Sequence, residues 1–229
     1  VFMRAPGGRL LAIVLGPSLS CAAHMSALVV VGLGPLGLRV LGDLLARGEP
    51  RLAAVVDVDP RLTGKLLTEL DARAPAGLRV EPALDSIADW RGVDQALVMT
   101  SSELARCADS FRGLLRRGLA VVSSCEELAW PWLRHAALAQ ELDRTAREHG
   151  ARLLGTGINP GFLMDALPLV LSGACLTLRS LRIERVQDAR VRRLPFQKKI
   201  GAGLSPADFA REVAAGRLRH VGLGESVHF

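Results

Sequence analysis

The run Ala27-Leu28-Val29-Val30-Val31 leads straight into Gly32-Leu33-Gly34-Pro35-Leu36-Gly37, and this junction constrains the fold more than any other feature of the chain. An unbroken apolar run rich in valine reads as a strand buried on both faces, the pattern of a parallel sheet covered by helices on each side. The glycines that follow allow a tight turn, the approach of a phosphate to bare backbone, and close packing of the next helix on the strand. Pro35 sits where a first helical turn tolerates a missing N–H. Leu36, Leu38, Val40, Leu41, Leu44 and Leu45 then supply an apolar face that stops at Gly48. A helix beginning there offers unpaired N–H groups and a partial positive charge, which suit a pyrophosphate.

A Gly-x-Gly-x-x-Gly string alone is a weak signal. Here a strand precedes it, a helix follows, and Asp57 closes the next apolar run about 20 residues later, which completes the dinucleotide-binding fingerprint. The candidate cofactor residues are therefore Gly32, Leu33, Gly34, Pro35, Leu36, Gly37 and Asp57. The cofactor expected is NAD or NADP. Asp57 suits the ribose hydroxyls of NAD, while Arg61 and Lys65 stand close enough in sequence to meet a 2′-phosphate.

Further strands are expected at Leu52–Val58, Asp94–Met99, Leu119–Ser123 and Arg152–Leu154, and helices at Glu103–Arg116 and Leu138–His149. Such alternation predicts the α/β class: a Rossmann-type doubly wound parallel sheet over residues 25–154. After Gly155 the pattern changes. A glycine-rich loop precedes an apolar, helix-like stretch at Phe162–Ala174, and Thr177–Val186 alternates like a strand of a different sheet. Ser205-Pro206 opens a helix running to Ala215. Residues 155–229 thus read as the start of an incomplete α+β second domain.

Composition excludes several classes. The formal charge is +6, but there is no Tyr, only six Phe and three Trp, and the basic residues gather mainly between Arg182 and Lys199, so nucleic acid is not an expected partner. The four cysteines, Cys21, Cys107, Cys125 and Cys175, form no Cys-x-x-Cys pair and support neither a metal site nor a disulfide framework, as expected of reduced thiols in a cytoplasmic protein. Residues 1–24 weakly imitate a secretory signal, yet their apolar core is short and a strand follows almost at once. They read as a leader, disordered or spurious, with Met25 as the working start, and no membrane association is expected.

Two clusters at strand ends could carry chemistry. Thr100 and Ser101 either lie near a bound nicotinamide or begin the next helix. Ser124-Cys125-Glu126-Glu127 follows the strand ending at Ser123, and its readings stay open. Glu126 or Glu127 moves protons at an amine carbon, Cys125 acts as a nucleophile, or the acids merely start a helix over a packed thiol. The basic run Arg182, Arg185, Arg190, Arg192, Arg193, Lys198 and Lys199 reads mostly as a solvated face, from which Arg185 could clamp a substrate carboxylate. His220 is a further candidate for the substrate pocket.

Longer strings carry a family resemblance. Asp57-Val58-Asp59-Pro60, Ser124-Cys125-Glu126-Glu127-Leu128, Gly155-Thr156-Gly157-Ile158-Asn159-Pro160-Gly161-Phe162, Arg185-Val186-Gln187-Asp188-Ala189 and Pro195-Phe196-Gln197-Lys198-Lys199-Ile200-Gly201 make the chain from about Met25 onward resemble the 2,4-diaminopentanoate dehydrogenase-like family. That is a branch of the dihydrodipicolinate-reductase-like oxidoreductases that includes amine dehydrogenases. The resemblance implies reversible oxidative deamination of a small amino-acid-like amine to a ketone and ammonia, with Glu126 or Glu127 as the catalytic carboxylate. Asn159, Arg185 and His220 are taken as substrate contacts, and a homodimer is expected. The His-His dyad, lysine and Ser-Gly-Thr loop of true dihydrodipicolinate reductases do not occur here, which leaves that activity as the alternative, beside a nucleotide-binding remnant without catalysis. Relatives are expected to continue for roughly another hundred residues, the size of a completed second domain.

Overall fold

A computed structural model of the chain describes residues 3–4, 10–11, 26–48, 51–191, 194–218 and 221–229. Two short strands, β1 (Met3–Arg4) and β2 (Leu10–Leu11), pair antiparallel. The remainder of the expected leader, including Met25, lies outside the described residues.

The main sheet contains β3 (Ala27–Val31), β4 (Arg51–Val56), β5 (Val80–Glu81), β6 (Val93–Val98), β7 (Ala120–Ser123) and β8 (Arg152–Gly155). All of its pairings are parallel, in the order β5-β4-β3-β6-β7-β8. This is the doubly wound arrangement in which successive strands build outward from a central strand first to one side and then to the other. The switch falls between β3 and β6.

Period-2 alternation divides the central strands between two cores. Leu28 and Val30 pack with Leu52, Val55 and Val80 beneath α1 (Pro35–Arg47), which contributes Leu41, Leu44 and Leu45. Val29 and Val31 join Val56, Val98 and Val121 beneath α2 (Leu104–Leu115) and α3 (Ala136–Glu148), through Phe111, Leu114, Leu115 and Leu142. Burying large side chains such as Phe111 or Leu114 is worth about 1.5–3 kcal/mol each, so both faces hold the sheet. Helix α1 ends as its sequence predicts, with Gly48 in the left-handed conformation and its N–H bonded to the Leu44 carbonyl.

Beyond β8 come α4 (Ala166–Ser172), α5 (Leu194–Lys199), α6 (Pro206–Ala214) and α7 (Leu223–His228). Ser205 caps α6 as expected, its Oγ accepting the Asp208 N–H. The expected strand at Thr177–Val186 is absent among the described residues. That segment is largely exposed, with Leu176, Leu178, Leu181 and Val186 bare, because alternation without a neighbouring strand provides no ladder to join. The helix expected from Phe162 begins only at Ala166, since the Asp165 carboxylate accepts the Ala166 N–H and starts it there. β4 stops at Val56 rather than Val58 because the next residue, Asp57, turns its carboxylate to the glycine loop. The edge strand β5 was not expected at all; it is two residues long and owes its existence to pairing with β4. Among the described residues no helix is long and apolar enough to cross a membrane.

Candidate active site

Parallel strands place all their carboxyl ends on one edge, so the loops after β3, β6, β7 and β8 converge there. In the glycine loop, Gly32 adopts φ +96, and a Cβ on it would stand 2.8 Å from the Met99 backbone. A Cβ on Gly37 would stand 1.9 Å from the Gly32 carbonyl oxygen. These two glycines are required by the fold itself. Gly34 is different. Its φ of −59 suits any residue, an added Cβ would meet nothing within 4 Å, and the position is exposed. No internal contact requires glycine at 34, and open space over bare backbone at a helix N-terminus is what a pyrophosphate needs.

The first helical bond of α1 runs from the Leu38 N–H to the Gly34 carbonyl at 2.9 Å, which leaves the amides of Leu36 and Gly37 without a helical acceptor. Pro35 and Leu36 are exposed at this edge, whereas the Leu33 side chain is buried in the core and only its backbone faces the loop. Asp57 braces the turn: one carboxylate oxygen accepts the Leu33 N–H at 2.5 Å and the other the Asp59 N–H at 2.7 Å. Arg61 turns back on Asp59 with both Nε and Nη2, and this hydrogen bonding holds the Asp59 carboxyl down to about 2. These residues fit the adenosine and pyrophosphate portions of a dinucleotide.

Across the switch point, Thr100 is exposed, and its methyl carbon lies 3.0 Å from where a Gly32 Cβ would be. The neighbouring Ser101 Oγ accepts the Glu103 N–H at 3.1 Å, so this hydroxyl shapes the turn into α2. Thr100 therefore borders the loop, and Ser101 serves the start of α2.

The Ser124–Leu128 string separates into three roles. Cys125 is buried, and its thiol donates to the Ser102 carbonyl. A hydrogen bond with the Cys107 thiol, together with burial, pushes its ionisation upward, which disfavours the thiolate a nucleophile needs. Glu127 is 4% exposed; its Oε2 accepts the Leu104 N–H at the start of α2 and the His135 Nε2–H, each at 2.8 Å. It is a brace for the helix N-terminus. Glu126 is half-buried, one Oε2 contact away from Lys199 Nζ at 3.3 Å, and no partner holds its Oε1 among the described residues. The two adjacent acids thus diverge, and Glu126 is the one open to a ligand.

The loop after β8 lies close to the stem of this side chain. A Cβ on Gly222 would stand 2.7 Å from Pro160 Cγ and 2.9 Å from the Glu126 Cβ, so the three residues meet at one point. The Asn159–Pro160 bond is cis, and the buried Asn159 Oδ1 has no hydrogen-bond partner among the described residues, an acceptor that awaits a donor. Asp165, 5% exposed, ties the region together: its Oδ2 accepts the Gly161 N–H and the Ser226 hydroxyl, each at 2.7 Å. Glu225, next to Ser226, is buried against Arg134 at 3.0 Å, an ion-pair contact whose N–H direction does not meet hydrogen-bond geometry.

Not every expected residue joins the cluster. Arg185 is exposed and donates to the Gln187 side chain, and no contact carries it to Glu126 among the described residues. His220 lies outside the described residues. Lys199, His135 and Asp165 were missed. Lys199 lay inside a basic run read as a solvated face, although the Gln197-Lys198-Lys199 string was a usable signal. The other two depend on partners distant in sequence.

Fold and geometry together define a Rossmann-type doubly wound sheet, with an open glycine turn after β3 and a half-buried carboxylate after β7 at the carboxyl edge of its strands. No family model matches the chain. It is similar to 2,4-diaminopentanoate dehydrogenase from Acetoanaerobium sticklandii, 30% identical over 203 residues, which cover 87% of this chain and 57% of that protein. In fold it is similar to an amine dehydrogenase from Mycobacterium smegmatis, with a TM-score of 0.68 and 22% identity, covering 88% of this chain and 60% of that one. The chain therefore spans somewhat more than half the length of the proteins it matches.

Proposed function

We propose that this chain carries the coenzyme half and part of the substrate site of a nicotinamide-dependent dehydrogenase that acts on the CH–NH2 group of a small, amino-acid-like amine. The observation that carries the reading is the placement of Glu126, with one oxygen unengaged, on the same sheet edge as the open glycine turn, in a chain similar to 2,4-diaminopentanoate dehydrogenase. A nicotinamide dinucleotide held by the Gly32–Gly37 turn would supply the hydride acceptor for the amine carbon. Glu126 takes a proton from the substrate ammonium so that the nitrogen lone pair can assist, and then holds the water that adds to the resulting imine. The products are a ketone, ammonium, the reduced coenzyme and one proton, which Glu126 releases to water. The orphan Asn159 oxygen would accept an N–H of the substrate.

NAD is the proposed coenzyme. The Asp57 carboxylate beside the glycine loop repels a 2′-phosphate, and the Arg61 guanidinium that would attract one is engaged by Asp59. The proposal extends to a homodimer, supported by the bare Leu176 and Val186 side chains, and to a cytoplasmic setting for the whole protein.

Titration of the purified chain with NADH and NADPH by fluorescence, followed by incubation with 2,4-diaminopentanoate or simple amines and the oxidised coenzymes, tests the reading. Tighter NADH binding and amine-dependent formation of reduced coenzyme are expected, with turnover abolished and NADH affinity retained in Glu126→Gln. Binding without turnover on any amine would favour a nucleotide-binding remnant without catalysis, and no binding of either coenzyme would refute the reading. Turnover intact in Glu126→Gln would refute the role of the carboxylate.

A further inference from the structure

Glu126 is held at two levels. Its stem packs against Pro160 and the Cα of Gly222, where no side chain has room. Its carboxylate receives Lys199 Nζ on Oε2 at 3.3 Å, across 73 residues of sequence, with 31% of the lysine side chain and 25% of the glutamate side chain exposed. Lys199 is the last residue of α5, and the backbone beyond it is fixed by bonds from Ile200, Gly201 and Ala202 to the carbonyls of Phe196, Lys198 and Gln197.

We infer that Lys199 is a positioning residue for Glu126, tethering one carboxylate oxygen so that the other faces the substrate nitrogen; this rests on the function proposed above. A glutamate side chain has several rotatable bonds, and freezing it costs rotamer freedom. An untethered carboxylate spends little time in the one orientation that meets an ammonium proton, and small misplacements of a reacting group cost up to about a hundredfold in rate. An ion pair between exposed side chains would do little. This one is half-buried, joins the sheet edge to a segment outside the sheet, and touches only one of the two carboxylate oxygens. Lys198 next to it is exposed and has no carboxylate partner among the described residues, which makes it a built-in control.

The test compares the full chain with Lys199→Ala, Lys199→Met, Lys199→Arg and Lys198→Ala. Amine oxidation at saturating coenzyme, NADH affinity, thermal midpoint and the carboxyl 13C resonance that Glu126→Gln removes are measured for each. Lys199→Ala and Lys199→Met are expected to lower kcat at least tenfold, with KM for the amine, NADH affinity and midpoint nearly unchanged, and to shift or broaden the Glu126 resonance. Lys199→Arg should recover most of the rate, and Lys198→Ala should behave as the parent. An unchanged kcat, a loss shared equally by Lys198→Ala, or a loss that follows the thermal midpoint and is not recovered by arginine would overturn the positioning role. An unmoved Glu126 resonance would overturn the tether itself. Absence of amine turnover in the parent chain would instead overturn the dehydrogenase reading, and the two failures are thereby distinguished.

Discussion

Replacing Gly34 with alanine separates the two reasons a glycine can be needed. The backbone at Gly34 has φ −59 and ψ 179, and a methyl group there meets nothing within 4 Å, so the folded state accepts it without strain. Restricting the unfolded chain gains about 0.4–1 kcal/mol, and alanine is a poorer residue than glycine before the first helical turn by a comparable few tenths. The two nearly cancel, and a net change within about 1 kcal/mol moves the midpoint of a chain this size by no more than about 4 °C. Coenzyme binding answers differently. A methyl group in the approach path pushes the pyrophosphate off the free amides of Leu36 and Gly37, and losing one charge-assisted hydrogen bond costs about 1.5–3 kcal/mol. NADH affinity should therefore fall by about tenfold to somewhat over a hundredfold. Gly37→Ala is the contrast, because its Cβ would lie 1.9 Å from the Gly32 carbonyl oxygen and the variant should lose stability first. Fluorescence titration with NADH beside thermal melting reads both quantities. Parent-like NADH affinity in a well-folded Gly34→Ala chain would refute the assignment of the pyrophosphate to this turn.

Other outcomes follow from the same geometry. Glu127→Ala removes the acceptor of the buried Leu104 N–H and should destabilise the chain by about 1–3 kcal/mol, seen as a drop of several degrees in the midpoint; an unchanged midpoint would refute the bracing role. The Asp59, Asp71 and Asp89 carboxyls, each hydrogen-bonded by the arginine two residues on, are lowered from the ordinary 3.8 to about 2. Their contribution to stability is present above pH 3.8 and is lost as the pH falls through about 2. Carboxyl 13C titration should find these three midpoints near 2, and Arg61→Ala should return Asp59 toward 3.8; three midpoints near 4 in the parent would contradict the pairing.

Much of the parallel sheet and its first helix was legible because the signals are local. The continuous Ala27–Val31 run, Pro35 at the helix start and Gly48 at its end each act within a few residues, and the observed elements match them closely. The β4 end was harder to read, since Val58 continues the apolar pattern while the Asp57 carboxylate bends the chain toward Leu33. Glu126 and Glu127 were indistinguishable as neighbours in sequence. Leu104 and His135 claim one and Lys199 meets the other, and no spacing rule announces those partners. The alternation at Thr177–Val186 misled because a period of two marks a strand only where another strand stands ready to pair with it.

The Glu126–Lys199 contact also bears on the order in which the molecule becomes competent. All strands of the main sheet and its glycine turn lie within residues 27–155, ahead of Pro160, Lys199 and Gly222 in the chain. The carboxylate acquires its stem contacts from Pro160 and Gly222 and its tether from Lys199 only after the polypeptide has continued past all three. A nascent or C-terminally shortened chain would pass through a stage with an organised glycine turn and an untethered Glu126. Drift in residues 155–229 can then alter the surroundings of Glu126 while leaving the sheet and its glycine turn intact.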